Sequence, residues 1–236
     1  MTVWPEFASE GRLLAPLAGR IDVGLHLTLT QDRPLSRVMA SAYLGRLDRK
    51  ALAAALARQL DAFVQSLGRP PDFIDGHQHV HLLPGVREAV IEAAARHGAY
   101  LRLTEEPLSA IARVRVAPVK AALLSILSRP LAREARRRSI PCNRGFRGAR
   151  NFADAAPFGA IFRRMVADAP AGTLVMCHPG FADATLSARD PVTEARESEY
   201  LYFAGEQFPA DLAAAGLRLA RLDEALSGLL SPRDSP

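Results

Sequence analysis

Short apolar segments alternate with longer helix-like segments along this chain, and this alternation limits its fold more than any other feature. Such an order is typical of α/β proteins with a parallel sheet. The stretch 173–177 is apolar throughout, which predicts a strand buried on both faces. The sequence predicts strands over 21–29, 73–75, 100–103, 173–177 and 217–222, and helices over 48–67, 86–96, 118–138, 158–168, 208–215 and 223–230.

The composition is that of a globular protein. The 236 residues are 49% hydrophobic and 23% charged, which excludes a disordered chain, a collagen and a disulfide-rich module. No repeat or linker divides the sequence, so we expect one domain over 1–230 and a short tail over 231–236. No apolar run reaches the roughly 18 residues of a membrane span, and no signal-peptide pattern is present. With two cysteines, neither in a zinc-ligand spacing, the expected location is cytoplasmic.

Basic residues are concentrated between Arg113 and Arg150, although the net charge of +5 is mild. Within this stretch, 118–138 has the pattern of a helix with apolar residues beside a basic end. One interpretation is a barrel helix with a solvated face, and the other is a peripheral membrane contact. Pro130 is expected to break this helix, which weakens the membrane interpretation. Nucleic acid is not an expected partner, because no binding motif or aromatic stacking platform is apparent.

Three histidines at alternating positions, His77, His79 and His81, directly follow a predicted strand in the segment DGHQHVHLLPG. If this segment stays extended, the three imidazoles point to one side, and imidazole is the commonest metal ligand near neutral pH. Asp75 could orient a ligand ring by a hydrogen bond. The alternative is a loop whose histidines make only local hydrogen bonds. His97 lies at a helix C-terminus, where a cation suits the helix dipole, and is interpreted as structural.

Two further histidines lie late in a strand or just after one: His26 in GLHLTLT and His178 in MCHPGF. Because ligands of parallel α/β folds bind beyond the carboxyl ends of the strands, five of the six histidines are expected to converge there. Cys177 should point away from His178, so a Cys/His dyad is disfavoured, and His178 fits a general acid better. Arg102 ends another strand and is either a substrate ligand or a surface residue.

Together, GLHLTLT, DGHQHVHLLPGV and MCHPGF resemble the YdjC-like carbohydrate deacetylases, which include chitooligosaccharide and hopanoid-associated deacetylases. The resemblance runs from about Val3 to Leu222, and the stretches NRGFRGARNF and DPVTEARESEY look most like the hopanoid-associated branch. It implies an irregular seven-stranded (β/α) barrel of the glycoside hydrolase/deacetylase type. It also implies a divalent metal ion, Mg²⁺ or Zn²⁺, and hydrolysis of an N-acetyl group on an amino sugar.

The resemblance also assigns residues. His26 and His77 match the family's metal ligands, and His178 matches a histidine with a proton-transfer role. Beside these matches, Asp75, His79 and His81 are expected to support the ligands or to replace one of them, and Arg102 to bind substrate.

The family's opening strand, with its Ala-Asp-Asp-Phe-Gly motif, has no counterpart in this sequence. One of those aspartates binds metal, and the pair supplies the base. Only 25 residues precede His26, whereas a strand–helix–strand unit needs about 30 or more, so we expect the first βα unit to be missing. Asp22 lies roughly 13 Å from His26 along the strand, too far to share an ion, while Glu6 and Glu10 are not excluded by geometry.

Two expectations follow from this missing motif. Either the chain is a shortened or mis-started version of an active deacetylase, or it is a short form without activity; the coding DNA upstream of Met1 would distinguish them. The function predicted is metal-dependent deacetylation of an N-acetylated amino sugar, which could be lipid-linked and hopanoid-type. The alternatives are a carbohydrate-binding homologue without activity and the hydrolysis of another amide or ester. A homodimer is left open.

Overall fold

The computed structural model describes residues 10–31, 33–152, 156–188 and 192–227. These residues form two compact units. The first consists of the described residues up to Leu103 together with Leu127–Asn143, and the second of Thr104–Ile126 and the described residues from Arg144 onward. Each unit is described by itself. The expectation of one domain over 1–230 stays a prediction, and the tail at 231–236 lies outside the described residues.

Five short strands and ten α-helices are present among the described residues. The strands are β1 (Leu25–Leu27), β2 (Phe73–Gly76), β3 (Tyr100–Leu101), β4 (Gly145–Arg147) and β5 (Thr173–Val175). The helices are α1 (Leu35–Tyr43), α2 (Arg49–Leu67), α3 (Val86–His97), α4 (Leu108–Val114), α5 (Pro118–Arg137), α6 (Phe158–Val166), α7 (Ala184–Ser187), α8 (Glu194–Ala204), α9 (Gln207–Ala214) and α10 (Leu222–Ser227). Segments of 3-10 type cover Glu10–Leu17 and His77–Leu82.

The first unit contains a parallel sheet in the order β1-β2-β3. Apolar side chains of these strands, among them Leu25, Leu27 and Ile74, are fully buried. The register places His26 directly opposite Asp75. Because paired residues of parallel strands present their side chains on the same face, this register brings an imidazole and a carboxylate together.

The helix ends of the first unit follow their sequence signals. Asp48 caps α2 by accepting hydrogen bonds from the N–H groups of Lys50 and Ala51. At the other ends of α2 and α3, Gly68 and Gly98 adopt φ of 69° and 67°, the left-handed conformation that favours glycine after a helix. His97 is the last residue of α3, as the sequence indicated.

The second unit contains the parallel pair β4-β5 and a core centred on α6. Residues of α6 pack against half-buried aromatic side chains of α8 and α9. Just beyond β4, Gly148 has φ of 102°, and a Cβ at this position would overlap the carbonyl oxygen of Met176. Only glycine therefore permits this close approach of the two backbones.

Several sequence expectations are wrong in detail. The helix α5 continues through Pro130, and the neighbouring Leu131, Ala132 and Ala135 are fully buried, so packing holds the helix where one hydrogen bond is missing. The predicted strand over 217–222 is irregular chain up to residue 221, and Leu222 is the first residue of α10, because alternation of apolar and polar residues does not by itself provide a partner strand. The strand β5 is half-buried, not buried on both faces.

The architecture is α/β with parallel strands, as predicted, whereas a seven-stranded barrel is not confirmed. Within the described part of the chain, no helix combines the length and apolarity needed to cross a bilayer.

Candidate functional site

The histidine-rich segment after β2 is a tight turn rather than an extended chain. Gln78 and His79 have φ of 51° and 61°, so the backbone bends within the motif. The expectation that three imidazoles point to one side therefore fails: His81 is fully buried, whereas His77 and His79 are half-buried. At the start of the turn, a Cβ on Gly76 would lie 2.8 Å from the backbone nitrogen of His81. The glycine thus allows His81 to pack against the end of β2.

His26 is oriented by Asp75. Its Nδ1 lies 2.6 Å from Oδ1 of Asp75, and the carboxylate can only accept, so Nδ1 carries the proton. In the neutral ring, Nε2 then has a free lone pair, and the side chain is 31% exposed. The ring of His77 lies beside it, with centroids 5.5 Å apart and planes at 80°. The two rings are therefore close enough to serve one ion.

Arg102 compensates the charge of Asp75. Its Nε lies 2.7 Å from Oδ2 of Asp75, and its Nη2 donates to the carbonyl of Gly76 at 3.2 Å. Burial by itself would raise the pKa of Asp75, but the Arg102 guanidinium and the hydrogen bond to His26 outweigh it and hold this pKa well below its usual range. Asp75 is therefore an ionised carboxylate inside the protein.

The two remaining histidines of the motif bind Arg102. His79 accepts at Nδ1 from Nη1 of Arg102 at 3.2 Å, which leaves the proton of a neutral ring on Nε2. His81 donates from Nε2 to the Arg102 carbonyl at 3.0 Å. Burial, together with the nearby Arg102 charge, lowers the pKa of His81 to about 3, so this ring stays neutral. Their role as alternative metal ligands stays a prediction, and these contacts favour His26 and His77 instead.

The residues of this site fit a metal ion only in part. A histidine whose Nδ1–H is held by a carboxylate is the usual arrangement of a metal-binding imidazole, so His26 fits. However, the described residues contain no group of three His, Cys, Asp or Glu side chains that could hold an ion. Asp22 lies 3.5 Å from the hydroxyl of Tyr100, while Glu6 lies outside the described residues.

The burial of Arg102 excludes one of the two expectations for this residue. Its side chain is only 3% exposed, so it is not a surface arginine. Its guanidinium forms an ion pair with Asp75 and donates to His79 and to the carbonyl of Gly76. These contacts make Arg102 a positioning residue for Asp75. Its substrate-binding role stays a prediction that the contacts do not support.

His178 lies in the second unit, three residues after β5 ends. Its backbone N–H donates to the carboxylate of Glu199, which is fully buried and forms an ion pair with Arg150 at 2.7 Å. The imidazole of His178 packs edge-on against Phe152, with ring centroids 5.2 Å apart. Sequence reasoning missed Glu199 and Arg150, which lie in stretches noted only for their resemblance, because a single Glu in a helix gives no signal of burial.

Cys177 behaves as a half-buried apolar residue. It packs against the core around α6. Burial, with a smaller contribution from the charge of Glu199, raises the pKa of its thiol to about 12. The thiol therefore stays protonated near neutral pH, which argues against a Cys/His dyad. Because β5 ends at Val175, Cys177 and His178 lie beyond the strand, and the alternation of strand faces does not apply to them.

Replacing Asp75 by Asn should lower the free energy of unfolding by about 3 kcal/mol, because Arg102 then remains buried without a counter-charge. The measurement is urea unfolding at pH 7, with Asp61→Asn on the exposed side of α2 as the matched control. Since the pKa of Asp75 is depressed in the folded state, its stabilisation is complete above the unfolded-state pKa of about 4. The difference between wild type and variant should therefore shrink as the pH falls below this value. Equal stability at pH 7 would contradict the ion-pair interpretation.

Comparison with known proteins agrees with the motifs. A mouse protein named carbohydrate deacetylase is 38% identical over 115 residues, which are 39% of this chain and 36% of that protein. The chitooligosaccharide deacetylase of Serratia marcescens is 29% identical over 187 residues, or 70% of this chain and 63% of that protein. The matched segments thus span less than two thirds of these relatives' lengths.

The fold also has a counterpart among solved structures. A crystal structure described as a cellobiose-phosphate cleavage protein from Enterococcus faecalis V583 superimposes with a TM-score of 0.62 over 92% of this chain and 82% of that chain. At 17% identity, this likeness concerns the fold alone. The family described as YdjC-like protein matches residues 1–214. The chain therefore belongs to the YdjC-like family, whose relatives include enzymes named carbohydrate deacetylase.

Proposed function

We propose that the protein catalyses metal-dependent hydrolytic deacetylation of an N-acetylated amino sugar. The observation that carries this proposal is the pair His26 and His77, where the Asp75 carboxylate directs the free lone pair of His26 outward next to the second imidazole. The names of the relatives support the same reaction. We also propose that the protein forms the seven-stranded barrel and has a cytoplasmic location.

In this proposal, His26 and His77 would hold a divalent ion, which as a Lewis acid polarises the acetyl carbonyl and lowers the pKa of water. Imidazole nitrogens suit Zn²⁺ better than Mg²⁺, which prefers oxygen ligands. Asp75 keeps the proton of His26 on Nδ1, and Arg102 keeps Asp75 ionised, so Nε2 stays available. His79 and His81 support Arg102 from either side.

His178 has the proposed role of general acid. Hydrolysis of the amide breaks the C–N bond, and the leaving nitrogen needs a proton to depart as an amine. The imidazole of His178 would donate that proton, and such a step contributes about 10²–10⁴-fold to the rate. This assignment rests on the resemblance of the MCHPGF motif and on the anchored position of His178 after β5.

Titration with Zn²⁺ tests the metal ligands without an activity assay. His77→Ala should weaken binding at least about tenfold, and Asp75→Asn should weaken it by about 10–100-fold because His26 loses its orienting carboxylate. His97→Ala is the matched control, since this histidine ends α3 away from the motif and should leave affinity unchanged. Unaltered affinity in His77→Ala would remove this residue from the proposed site.

Acetate release from N-acetylated chitooligosaccharides tests the reaction and the role of His178. With Zn²⁺ present, His178→Ala should lower kcat by about 10²–10⁴-fold, with metal content unchanged. Cys177→Ala should keep its activity, because the neighbouring thiol is protonated and packs against the core around α6. Wild-type activity in His178→Ala would show that the proton comes from another group.

A carbohydrate-binding homologue without turnover is the alternative. The specific observation that favours it is that the described residues supply two histidines but no third acidic ligand. Column retention and acetate release distinguish the two functions. Retention on a chitooligosaccharide column without any acetate release would favour the binding protein.

A narrower proposal concerns a lipid-linked substrate of hopanoid type. On α5, Val119, Leu123 and Ile126 are 82%, 54% and 51% exposed, and their spacing puts them on one side of the helix. The following turns carry exposed arginines, such as Arg133 and Arg136. A row of apolar side chains, followed along the helix by cationic side chains, fits the surface of an anionic membrane.

Flotation with vesicles containing phosphatidylglycerol tests this contact. Wild-type protein should float with the vesicles at low salt, and Leu123→Glu combined with Ile126→Glu should abolish flotation. Leu219→Glu is the control, since Leu219 is also exposed, at 70%, but lies outside α5. Absence of wild-type flotation at low salt would refute the membrane contact.

A further inference from the structure

The chain leaves its sheet just before His178. The paired part of β5 ends where Val175 lies opposite Arg147. The next hydrogen bond along the chain runs from the N–H of Met176 to the carbonyl of Arg147 at 2.8 Å. The proposed proton donor therefore lies on a segment that a different element must hold in place.

That element is α8. The N–H of Gly180 donates to the carbonyl of Arg196 at 3.2 Å, and the N–H of Ala182 donates to the carboxylate of Glu197 at 3.0 Å. At the start of the same segment, the N–H of His178 donates to Glu199. The helix thus binds the loop at every second residue.

Among these three contacts, the one at His178 is unlike the others because its acceptor is a buried charge. Glu199 is 0% exposed, and its Oε1 accepts from Nη2 and Nε of Arg150 at 2.7 and 3.1 Å, while Oε2 accepts from His178. A buried carboxylate requires such compensation. An apolar pair of similar volume would often be equally stable, so stability alone does not account for this ion pair.

The partner of Glu199 also reaches the ring of His178. The guanidinium of Arg150 lies 4.7 Å above the ring of Phe152, and Phe152 in turn packs edge-on against the imidazole of His178. The same ion pair therefore touches the backbone of His178 directly and its side chain through one aromatic ring.

We propose that Glu199 is a positioning residue for His178: clamped by Arg150, its carboxylate fixes the backbone of His178 while Arg150 orients the imidazole through Phe152. This inference rests on the proposed proton-donor role of His178. The helix α8, which carries Glu199, thereby aligns the proposed general acid His178.

Glu199→Gln tests the proposal with a side chain of nearly the same shape. Because misplacement of a catalytic group by about 1 Å can lower a rate on the order of 10²-fold, kcat should fall by about that factor, with KM changed less than about threefold. The matched control is Glu197→Gln on the same helix, which removes a charge but leaves an amide oxygen to accept from the N–H of Ala182, and should keep wild-type kcat.

Since Glu199→Gln leaves Arg150 without its counter-charge and could unfold the protein, a second variant separates folding from positioning. The double variant Arg150→Met/Glu199→Leu replaces the ion pair by apolar side chains and should unfold at a urea concentration close to that of wild type. Its kcat should nevertheless remain low. Recovery of wild-type kcat in the double variant would overturn the proposal.

An NMR measurement keeps this test separate from the proposed activity. The imidazole C–H resonances of His178, assigned by comparison with His178→Ala, should shift in the double variant and stay in place in Glu197→Gln. Should the wild type release no acetate, the deacetylase proposal fails, whereas the positioning of His178 is still decided by these resonances. Unchanged His178 resonances in the double variant would refute the positioning role in either case.

Discussion

A buried carboxylate at the end of β2 determines the arrangement of the first unit. Asp75 lies opposite His26 in the parallel register, inside the protein, where an uncompensated charge would be strongly unfavourable. Arg102 supplies the opposite charge, and His26 supplies a proton donor. Since Arg102 is itself only 3% exposed, its remaining donors need partners too, and the turn after β2 provides His79 and the carbonyl of Gly76.

The second unit also pairs buried arginines with carboxylates where its strands end. Arg147, the last residue of β4, is buried and donates to Glu106, to the carbonyl of Met165 in the last turn of α6 and to that of Ala167 just after it. Three residues later, Arg150 pairs with the buried Glu199. Where the three-residue strand β4 ends, two buried arginines bind groups of neighbouring segments: Arg147 binds a carboxylate and backbone carbonyls, and Arg150 binds a carboxylate. The arginine-rich character of the stretch up to Arg150 is thus explained partly by internal ion pairs.

The sequence predicted the strands that carry His26 and precede His77 and His178, because apolar runs bounded by Gly or Pro give a local signal. It also predicted the bounds of α2 and α3 to within one residue. These features depend on neighbours within one turn of chain. The same local reasoning failed at Pro130, where surrounding packing decides, and over 217–222, where no partner strand follows from the alternation.

The residue types of the site could be predicted from the sequence, but the tautomers of its histidines could not. The spacing of the histidines identified the motif, yet the turn at Gln78 and His79 has φ values that nothing in the local sequence demands. Which ring can bind an ion depends instead on partners more than twenty residues away along the chain, since Asp75 fixes His26 and Arg102 fixes His81. A sequence pattern specifies neighbours along the chain, whereas these protonation states are set by contacts across it.

The coupling between burial and protonation has a consequence for how such a site can change. Asp75 needs a donor from His26 to remain ionised inside the protein, and that same hydrogen bond directs the free lone pair of His26 outward. A substitution that removes the buried charge of Asp75 would therefore also remove the hydrogen bond that orients the imidazole of His26. Stability and the proposed metal affinity should decline together in the first unit, because one set of contacts provides both. In the second unit, stability and the positioning of His178 can be separated, since the ion pair of Arg150 and Glu199 holds His178 through a backbone N–H that any residue would offer.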